Sequence, residues 1–308
     1  MTAATPVLVA DRRHTGHTLA DVPLVMAGEN RPRALLASKP MSPPRLLSIA
    51  GSDSGGGAGI QADLKAFARF GAHGMTAITA VTVQSTVAVS AVYPLPPEAI
   101  VEQVRAVAED IGVDAVKIGM LGSVETIEAV ERALDLVGEA PVVLDPVMVA
   151  ESGARLLDED AVEALRRRLV PRAAVVTPNL AEARVLTGEG EEASGEELVR
   201  AVHALRAGAA VVTGGHRESG TDLFYDGGEV IPIEGERHPG GASHGSGCTH
   251  SSVLAVHLAL GFSAEEAARR AKQAASEAVR NGLRGIGAGA GPVDVFGLEE
   301  GDAPGSAG

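Results

Sequence analysis

The chain has 308 residues, of which 45% are apolar and 21% are charged. It can therefore bury a globular core and is not a disordered polyelectrolyte. Its net charge of −14 argues against nucleic acid or a membrane surface as a partner. The single cysteine excludes a disulfide framework, and no run of about 18 apolar residues could span a bilayer. These features favour a cytoplasmic location, although a local group of backbone N–H donors can still bind a small phosphorylated ligand.

The two ends of the chain differ from the rest. Residues 1–44 have scattered proline, arginine and histidine, no periodicity and a second methionine at position 41. No charged head precedes a compact apolar stretch, so this segment is not a typical signal peptide. We predict a disordered or weakly ordered extension at 1–44, with an upstream start or a functional tail as alternatives. A single domain is predicted at 45–297 and a disordered tail at 298–308.

From residue 45 onward, short aliphatic and β-branched runs alternate with segments whose apolar residues recur at helical spacing. The first run, 46–50, ends in a Gly/Ser cluster and predicts a buried strand. A proline pair opens the helix predicted at 97–110. In chain order the predicted elements are strand 46–50, helix 58–70, strand 74–83, helix 97–110, strand 115–118, helix 123–137, strand 142–144, helix 158–168, strand 173–176, helices 179–186 and 194–207, and strand 209–213.

The pattern changes after residue 213. Residues 221–225 and 229–233 are joined by Asp-Gly-Gly, which predicts a small β-hairpin, and two helices follow at 247–260 and 263–282. The earlier alternation predicts an α/β fold with three layers, α/β/α, in which helices flank a mostly parallel central sheet. Ligands of such folds bind beyond the carboxyl ends of the strands, so site residues are expected just after each strand.

A glycine-rich segment follows the first predicted strand. Residues 51–59 read Gly-Ser-Asp-Ser-Gly-Gly-Gly-Ala-Gly and open a predicted helix. Five glycines let a ligand approach the backbone closely. The segment matches neither the usual dinucleotide-binding spacing nor a Walker loop. It predicts a ligand near a helix start, with a merely tight turn as the alternative.

Three polar residues follow later strands. Asp145 directly follows the run 142–144. At that position it can hold Mg²⁺ directly or through water, and the alternative is a turn residue before Pro146. Asn179 can cap the next helix. Glu182, one turn further on, either reaches a metal ion or stabilises the helix N-terminus.

The segment 244–249, His-Gly-Ser-Gly-Cys-Thr, precedes an aliphatic helix. Gly245 and Gly247 predict three successive N–H groups that point at one anion, and the helix dipole adds positive charge there. Cys248 lies in the first turn, a position that lowers a thiol pKa and favours a base or nucleophile. A buried, inert cysteine is the structural alternative.

Five motifs occur together in order along the chain. They are Gly-Ser-Asp-Ser-Gly-Gly-Gly-Ala-Gly-Ile-Gln-Ala-Asp at 51–63, Lys-Ile-Gly-Met-Leu at 117–121, Val-Leu-Asp-Pro-Val-Met at 143–148, Thr-Pro-Asn at 177–179 and His-Gly-Ser-Gly-Cys at 244–248. With these motifs, the segment from about residue 46 to residue 292 resembles the hydroxymethylpyrimidine/phosphomethylpyrimidine kinases of thiamine biosynthesis, in the ribokinase-like superfamily. The first and last motifs are specific in combination.

The resemblance implies a substrate and a pocket. The family uses ATP and Mg²⁺ to phosphorylate 4-amino-5-hydroxymethyl-2-methylpyrimidine and then its monophosphate. By similarity, Asp63 and Gln84 face the pyrimidine, whose amidine-like edge needs both a donor and an acceptor. The other implied pocket residues are Gly51, Ala58, Met120 and Val147.

The resemblance also implies the catalytic groups. Gly245, Ser246 and Gly247 would form an anion hole for the transferred phosphoryl group, and Cys248 would take the hydroxymethyl proton. Asp145 and Glu182 would organise Mg²⁺ through water. The implied ATP-binding residues are Asn179, Thr213 and Gly215. A homodimer is expected because relatives are commonly dimers.

Three positions depart from the family pattern. Thr213 stands where lysine is usual, Glu151 where lysine is common, and Ala242-Ser243 where Asn-Thr is typical. Thr213 lacks the positive charge that would neutralise ATP phosphates, unless Arg217 supplies that charge instead. These departures bear on activity level more than on substrate class. Two alternatives stay open: a pyridoxal or pyridoxine kinase, and a catalytically weak pyrimidine-binding protein.

Overall fold

A computed structural model describes residues 42–214 and 220–298. In this part of the chain the strands form one nine-stranded sheet, in the order β3-β2-β1-β4-β5-β6-β7-β8-β9. The strands are β1 (Arg45–Asp53), β2 (His73–Gln84), β3 (Val89–Pro94), β4 (Ala115–Ile118), β5 (Val142–Leu144), β6 (Val175–Val176), β7 (Ala209–Val212), β8 (Asp222–Tyr225) and β9 (Ile231–Ile233).

The central six strands of the sheet, from β2 to β7, are parallel, while β3, β8 and β9 are antiparallel and lie at the two edges. The carboxyl ends of the parallel strands therefore share one edge. The loops that follow β1, β4, β5 and β6 lie at that edge, as the strand-end argument requires.

Helices cover both faces of the sheet because successive strand side chains point to opposite faces. Leu46 packs with α1, α7 and α8, whereas its neighbour Leu47 packs on the other face with α2, α3, α5 and α6. The fold is thus a three-layer α/β/α arrangement, as predicted. The helices are α1 (Gly59–Arg69), α2 (Pro97–Asp110), α3 (Val124–Leu134), α4 (Ala161–Ala164), α5 (Leu180–Thr187), α6 (Gly195–Ala204), α7 (Ser246–Ala259) and α8 (Ala264–Arg280).

Helix α7 is the most deeply buried helix near the site. The nine consecutive residues 249–257 are all buried, and they lie between the sheet, α1 and α8. Its N-terminus, which follows Gly245, lies at the carboxyl edge of the sheet. None of the helices in the described ranges is long and apolar enough to cross a membrane.

The structure differs from the predicted elements at two places. Strand β3 was not predicted, because it is an exposed edge strand paired with β2 alone and has no buried apolar run. The predicted helix 158–168 is α-helical only over α4. It continues as a π-helical turn at Leu165–Leu169 and a 3₁₀ turn at Val170–Arg172, where Pro171 lacks the N–H that a longer helix needs.

The predicted domain boundaries stay predictions. Residues 1–41 and 299–308, and Gly215 among the predicted ATP-binding residues, lie outside the described residues. The hairpin near 221–233 is present as β8 and β9, whose ladder pairs Asp222 with Ile233.

Candidate active site

Two glycine-rich loops meet at the carboxyl edge of the sheet. We call residues 51–59 the first glycine loop and residues 244–248 the second glycine loop. Gly245 adopts a left-handed φ of 87°, and a Cβ built on it would lie 1.8 Å from the carbonyl oxygen of Gly57. Only glycine allows this approach, because any side chain would collide with the backbone of the first loop.

The first glycine loop is organised by one carboxylate. Asp53, at the end of β1, accepts hydrogen bonds from the backbone N–H groups of Gly55, Gly57 and Ala58 at 2.7–3.0 Å. Burial alone would raise the pKa of Asp53. Hydrogen bonds from His244 and from these backbone groups outweigh burial, so the pKa of Asp53 lies below its usual value. Asp53 is therefore charged and holds the loop closed over its side chain.

The second glycine loop presents backbone donors at the start of α7. The N–H groups of Gly247 and Cys248 have no hydrogen-bond partner within the described residues. This is usual for the first turn of a helix, whose N–H groups have no carbonyl partner within the helix. The prediction of three successive free N–H groups is wrong at Ser246, whose N–H donates to the carbonyl of Ser243 at 3.0 Å. The N–H groups of Gly247 and Cys248 therefore remain as candidate donors to an anion at this terminus, where the helix dipole adds positive charge.

A fully buried ion pair lies beneath the two loops. Lys117, in the middle of β4, is 0% exposed, and its Nζ lies 3.0 Å from Asp63 Oδ1 and 3.8 Å from Asp145 Oδ2. Burial would lower the pKa of Lys117. Asp63, Cys248 and Asp145 raise it above its ordinary value instead, so the lysine is charged.

Asp63 does not face an open cleft. Its carboxylate accepts hydrogen bonds from the Ser48 hydroxyl at 2.6 Å and the Ser252 hydroxyl at 2.8 Å, in addition to the contact with Lys117. The expected contact between Asp63 and the pyrimidine stays a prediction. With no exposed side-chain surface, Asp63 joins β1, α1, β4 and α7 and supports the site from below.

Cys248 is half-buried in the first turn of α7. Burial raises the pKa of its thiol to about 12. Lys117 lowers that pKa, while Asp63 and Asp145 raise it further. The expectation of a lowered thiol pKa is therefore wrong for the resting protein, because desolvation and two carboxylates outweigh one lysine and the N–H of Gly59. At neutral pH the group is a thiol that can donate a hydrogen bond.

The thiol pKa predicts how Cys248 reacts with iodoacetamide. The alkylation rate should rise about tenfold per pH unit between about pH 7 and pH 10, without a plateau, because the thiolate fraction grows in that way below the pKa. Mass spectrometry gives the rate directly, since the chain has one cysteine. A plateau near pH 9 would contradict the raised pKa.

Two of the predicted pocket residues, Gly51 and Met120, lie close together. A Cβ on Gly51 would lie 3.0 Å from the sulfur of Met120, so these two residues are in contact range. Gln84 is the last residue of β2, and its side-chain oxygen accepts a hydrogen bond from Thr82 at 3.1 Å. Its amide NH₂ group retains donor capacity. Ala58 and Val147 are half-buried near the same edge, and their contacts with a ligand remain expectations.

Two carboxylates face each other beyond β5 and β6. Glu182 accepts from the backbone N–H of Asn179 at 3.0 Å and of Met148 at 3.4 Å. Burial and the charge of Asp145 raise the pKa of Glu182 to about 8, and burial also raises the pKa of Asp145. A cation bound near both carboxylates would offset the effect of the Asp145 charge on Glu182.

Asn179 and Thr213 lie on neighbouring strand ends. Asn179 caps α5, and its side chain forms a reciprocal capping box with Glu182. The capping interpretation of Asn179 is therefore correct. Thr213 forms a parallel bridge with Asn179 and donates its N–H to the carbonyl of Pro178 at 2.9 Å. Both residues line the edge where a nucleotide was expected.

Two of the unusual residues contact each other. The Ser243 hydroxyl donates to Glu151 Oε1 at 2.8 Å, so the loop after β5 touches the residue just before the second glycine loop. The side chains at these two unusual positions are therefore joined by one hydrogen bond.

Sequence reasoning missed the buried network. The motifs predict no role for Lys117, and they predict none for the side chain of His244. One signal was present: Lys117 lies inside the apolar run Ala-Val-Lys-Ile, and a charged residue in a buried strand needs a partner. The partners, from other elements, could not be read from that run.

A three-layer α/β/α sheet with a helix N-terminus at its carboxyl edge is the fold of the ribokinase-like small-molecule kinases. The family model described as phosphomethylpyrimidine kinase matches residues 53–294. A curated relative from Rhizobium meliloti, named hydroxymethylpyrimidine/phosphomethylpyrimidine kinase, is 47% identical over 256 residues, which cover 81% of this chain and 96% of the relative. The chain belongs to the phosphomethylpyrimidine kinase family.

Solved structures give the same result for the fold. The pyridoxal kinase from Staphylococcus aureus in complex with pyridoxal has a TM-score of 0.76 and 34% identity, covering 83% of this chain and 94% of that one. The same enzyme has been solved with ADP. The phosphomethylpyrimidine kinase from Clostridium difficile has a TM-score of 0.68 and 37% identity, covering 77% of this chain and 99% of that one.

Proposed function

We propose that this chain catalyses the ATP-dependent phosphorylation of 4-amino-5-hydroxymethyl-2-methylpyrimidine and of its monophosphate. The observation that carries the proposal is family membership across residues 53–294, together with the free N–H groups of Gly247 and Cys248 at the start of α7. The chain is a phosphotransferase of thiamine biosynthesis, like the curated relatives named for this activity.

Phosphoryl transfer demands positioning and charge stabilisation more than covalent help from the protein. The N–H groups of Gly247 and Cys248 receive negative charge on the transferred group. Gln84 orients the heterocycle by donating and accepting hydrogen bonds, while Gly51 leaves room for the ring beside Met120. Cys248 acts as the base in its thiolate form, which Lys117 stabilises after the thiol has lost its proton to solvent. The thiolate accepts the proton of the acceptor hydroxyl as charge develops and becomes the thiol again.

The donor set fits Mg²⁺. Asp145 and Glu182 are two neighbouring carboxylates, and the described residues contain no group of three or more His, Cys, Asp or Glu side chains placed to hold a metal alone. Mg²⁺ typically uses one or two carboxylates and completes its shell with water and substrate phosphates. Bound there, it would neutralise phosphate charge. Added EDTA should abolish turnover, and Mg²⁺ should restore it.

The test is steady-state kinetics with purified protein, Mg²⁺ and ATP in a coupled ADP-release assay. Turnover of the hydroxymethylpyrimidine supports the proposal, and turnover of its monophosphate in the same assay supports the second step. No turnover of either compound, with calorimetry showing tight pyrimidine binding and no ATP binding, would favour the binding-protein alternative instead.

A pyridoxal kinase is the second candidate, because the solved S. aureus enzyme with that name aligns with this chain at a TM-score of 0.76. Side-by-side kcat/KM values for the pyrimidine and for pyridoxal decide between them. We expect the pyrimidine to be preferred, since the curated sequences at 43–47% identity carry the pyrimidine kinase name.

Thr213→Lys tests the proposed nucleotide edge. Restoring a cation at the end of β7 should lower the KM for ATP about tenfold, because one charge-assisted phosphate contact contributes about 1.4 kcal/mol. The KM for the pyrimidine should stay unchanged, which serves as the internal control. Steady-state kinetics with varied ATP measures both. An unchanged KM for ATP would place the phosphates away from residue 213.

Assembly and location complete the proposal. We place the activity in the cytoplasm, where its ATP is supplied, and propose a homodimer. The β2–β3 pair supports the dimer: Val81 pairs with Tyr93 and Val83 with Ala91, so their exposed side chains share one face. Light scattering after size exclusion measures the assembly. Tyr93→Lys should shift a dimer towards monomer, and a monomeric parent protein would contradict the proposal.

A further inference from the structure

The two glycine loops are joined by one side-chain contact. His244 Nε2 lies 3.0 Å from Asp53 Oδ2, and the two side chains are 9% and 3% exposed. The same carboxylate accepts the N–H groups of Gly55, Gly57 and Ala58. Asp53 therefore organises the first glycine loop and, through His244, holds the second glycine loop against it.

The backbone of His244 is also fixed from the other side. Its N–H donates to the carbonyl of Gly291 at 3.3 Å, and its carbonyl accepts from the N–H of Val293 at 3.0 Å. The histidine therefore cannot follow a movement of the first loop without breaking backbone hydrogen bonds. The contact with Asp53 links two segments that are each anchored elsewhere.

The space around the ring is closed. A Cβ on Gly57 would lie 2.1 Å from His244 Cδ2, so the ring occupies the place where a side chain at residue 57 would be. The carbonyl oxygen of Gly57 in turn lies against Gly245. Ring, glycines and carboxylate thus fit together in one arrangement, with little freedom for the loops to slide past each other.

We propose that His244 and Asp53 form a positioning pair that sets the distance between the acceptor pocket and the anion-binding N–H groups. The inference rests on the proposed function, since the first loop lines the acceptor pocket and the second loop receives the phosphoryl group. Neither side chain needs to touch substrate. A misplacement of about 1 Å between reacting groups lowers a rate about 10²-fold, so the pair acts mainly on kcat.

The kinetic test separates hydrogen bonding from ring volume. His244→Phe keeps a ring but removes the donor, whereas His244→Gln keeps a donor and loses the ring. We expect kcat to fall about 10–100-fold in His244→Phe and to recover in part in His244→Gln, with the KM for ATP within about threefold of the parent. His238→Asn is the matched control, because His238 contacts Ser276 away from the loops.

A double-mutant cycle tests whether the residues act together. Asp53→Asn combined with His244→Phe should be no worse than the more damaging single variant, because either change breaks the same link. Full additivity would overturn the pairing. So would a His244→Phe protein that keeps the kcat of the parent.

A readout without substrate distinguishes failure of the pair from failure of the proposed function. Loosening the second loop should expose the Cys248 thiol, so alkylation by iodoacetamide at about pH 8 should become about tenfold faster in His244→Phe and Asp53→Asn. His238→Asn should react like the parent. Circular dichroism establishes whether each variant is folded. If His244→Phe does not fold, the alkylation rate is measured in His244→Gln instead. Alkylation at the parental rate in both loop variants would overturn the proposal even if the kinase assay succeeds.

Discussion

Lys117→Met is expected to lower the free energy of unfolding by about 3–5 kcal/mol, because removing one member of a buried ion pair leaves an uncompensated charge. Lys117 is 0% exposed and faces Asp63 at 3.0 Å and Asp145 at 3.8 Å. Methionine is unbranched like lysine and lacks only the terminal ammonium position, so the change removes the charge with a small change in volume. Urea unfolding followed by circular dichroism, with linear extrapolation, measures the loss.

The control for charge removal is Arg105→Met. Arg105 lies on the exposed face of α2 and pairs with Glu102 and Glu109. Its loss should leave the urea midpoint unchanged, because exposed ion pairs contribute little. Asp63→Asn in the Lys117→Met background should recover part of the stability by removing one of the buried negative charges. If Lys117→Met unfolds like the control, the ion pair does not stabilise the fold.

Cys248→Ala is expected to lower kcat about 10²–10⁴-fold, the range for loss of a group that moves a proton in the transition state. The thiol lies in the first turn of α7, beside the free N–H groups of Gly247 and Cys248 that we propose receive the phosphoryl group. Those N–H groups survive the substitution, so the variant separates the thiol from the anion hole. Steady-state kinetics with the pyrimidine and ATP gives the value.

Cys248→Ser gives the matched comparison. A hydroxyl keeps a donor and an acceptor at the same position, so kcat should fall less than in the alanine variant. Unchanged kcat in Cys248→Ala would mean that the thiol moves no proton and that the helix N-terminus carries the reaction. Because the transition state is loose, most of the remaining rate should come from positioning.

The layered fold could be predicted from the sequence because its signals are local. Strand β4 and helix α2 begin and end where periodicity and the proline pair predicted. The strand-end argument also predicts Asp145 at the carboxyl edge of the sheet, and the charge of Asp145 acts on Glu182 there. Strand β3 escaped prediction because an edge strand exposed on both faces carries no clear apolar pattern.

The electrostatics of the site could not be predicted in the same way. Asp63 and Lys117 are 54 residues apart, and only the packing of α1 on the sheet brings them to 3.0 Å. The helix-terminus argument predicted a lowered thiol pKa because it considered one helix and not the carboxylates beneath it. Likewise, the N–H of Ser246 is engaged by a turn whose geometry the residue types do not specify.

The burial of α7 determines which wall of the site can move during turnover. Residues 249–257 are enclosed on all sides by the sheet, α1 and α8. Tilting this helix would expose its buried side chains to water. We therefore expect its N-terminus to stay in place while both substrates bind. We expect any induced fit to be confined to the exposed loop after β5, whose Glu151 is held to Ser243 by one hydrogen bond.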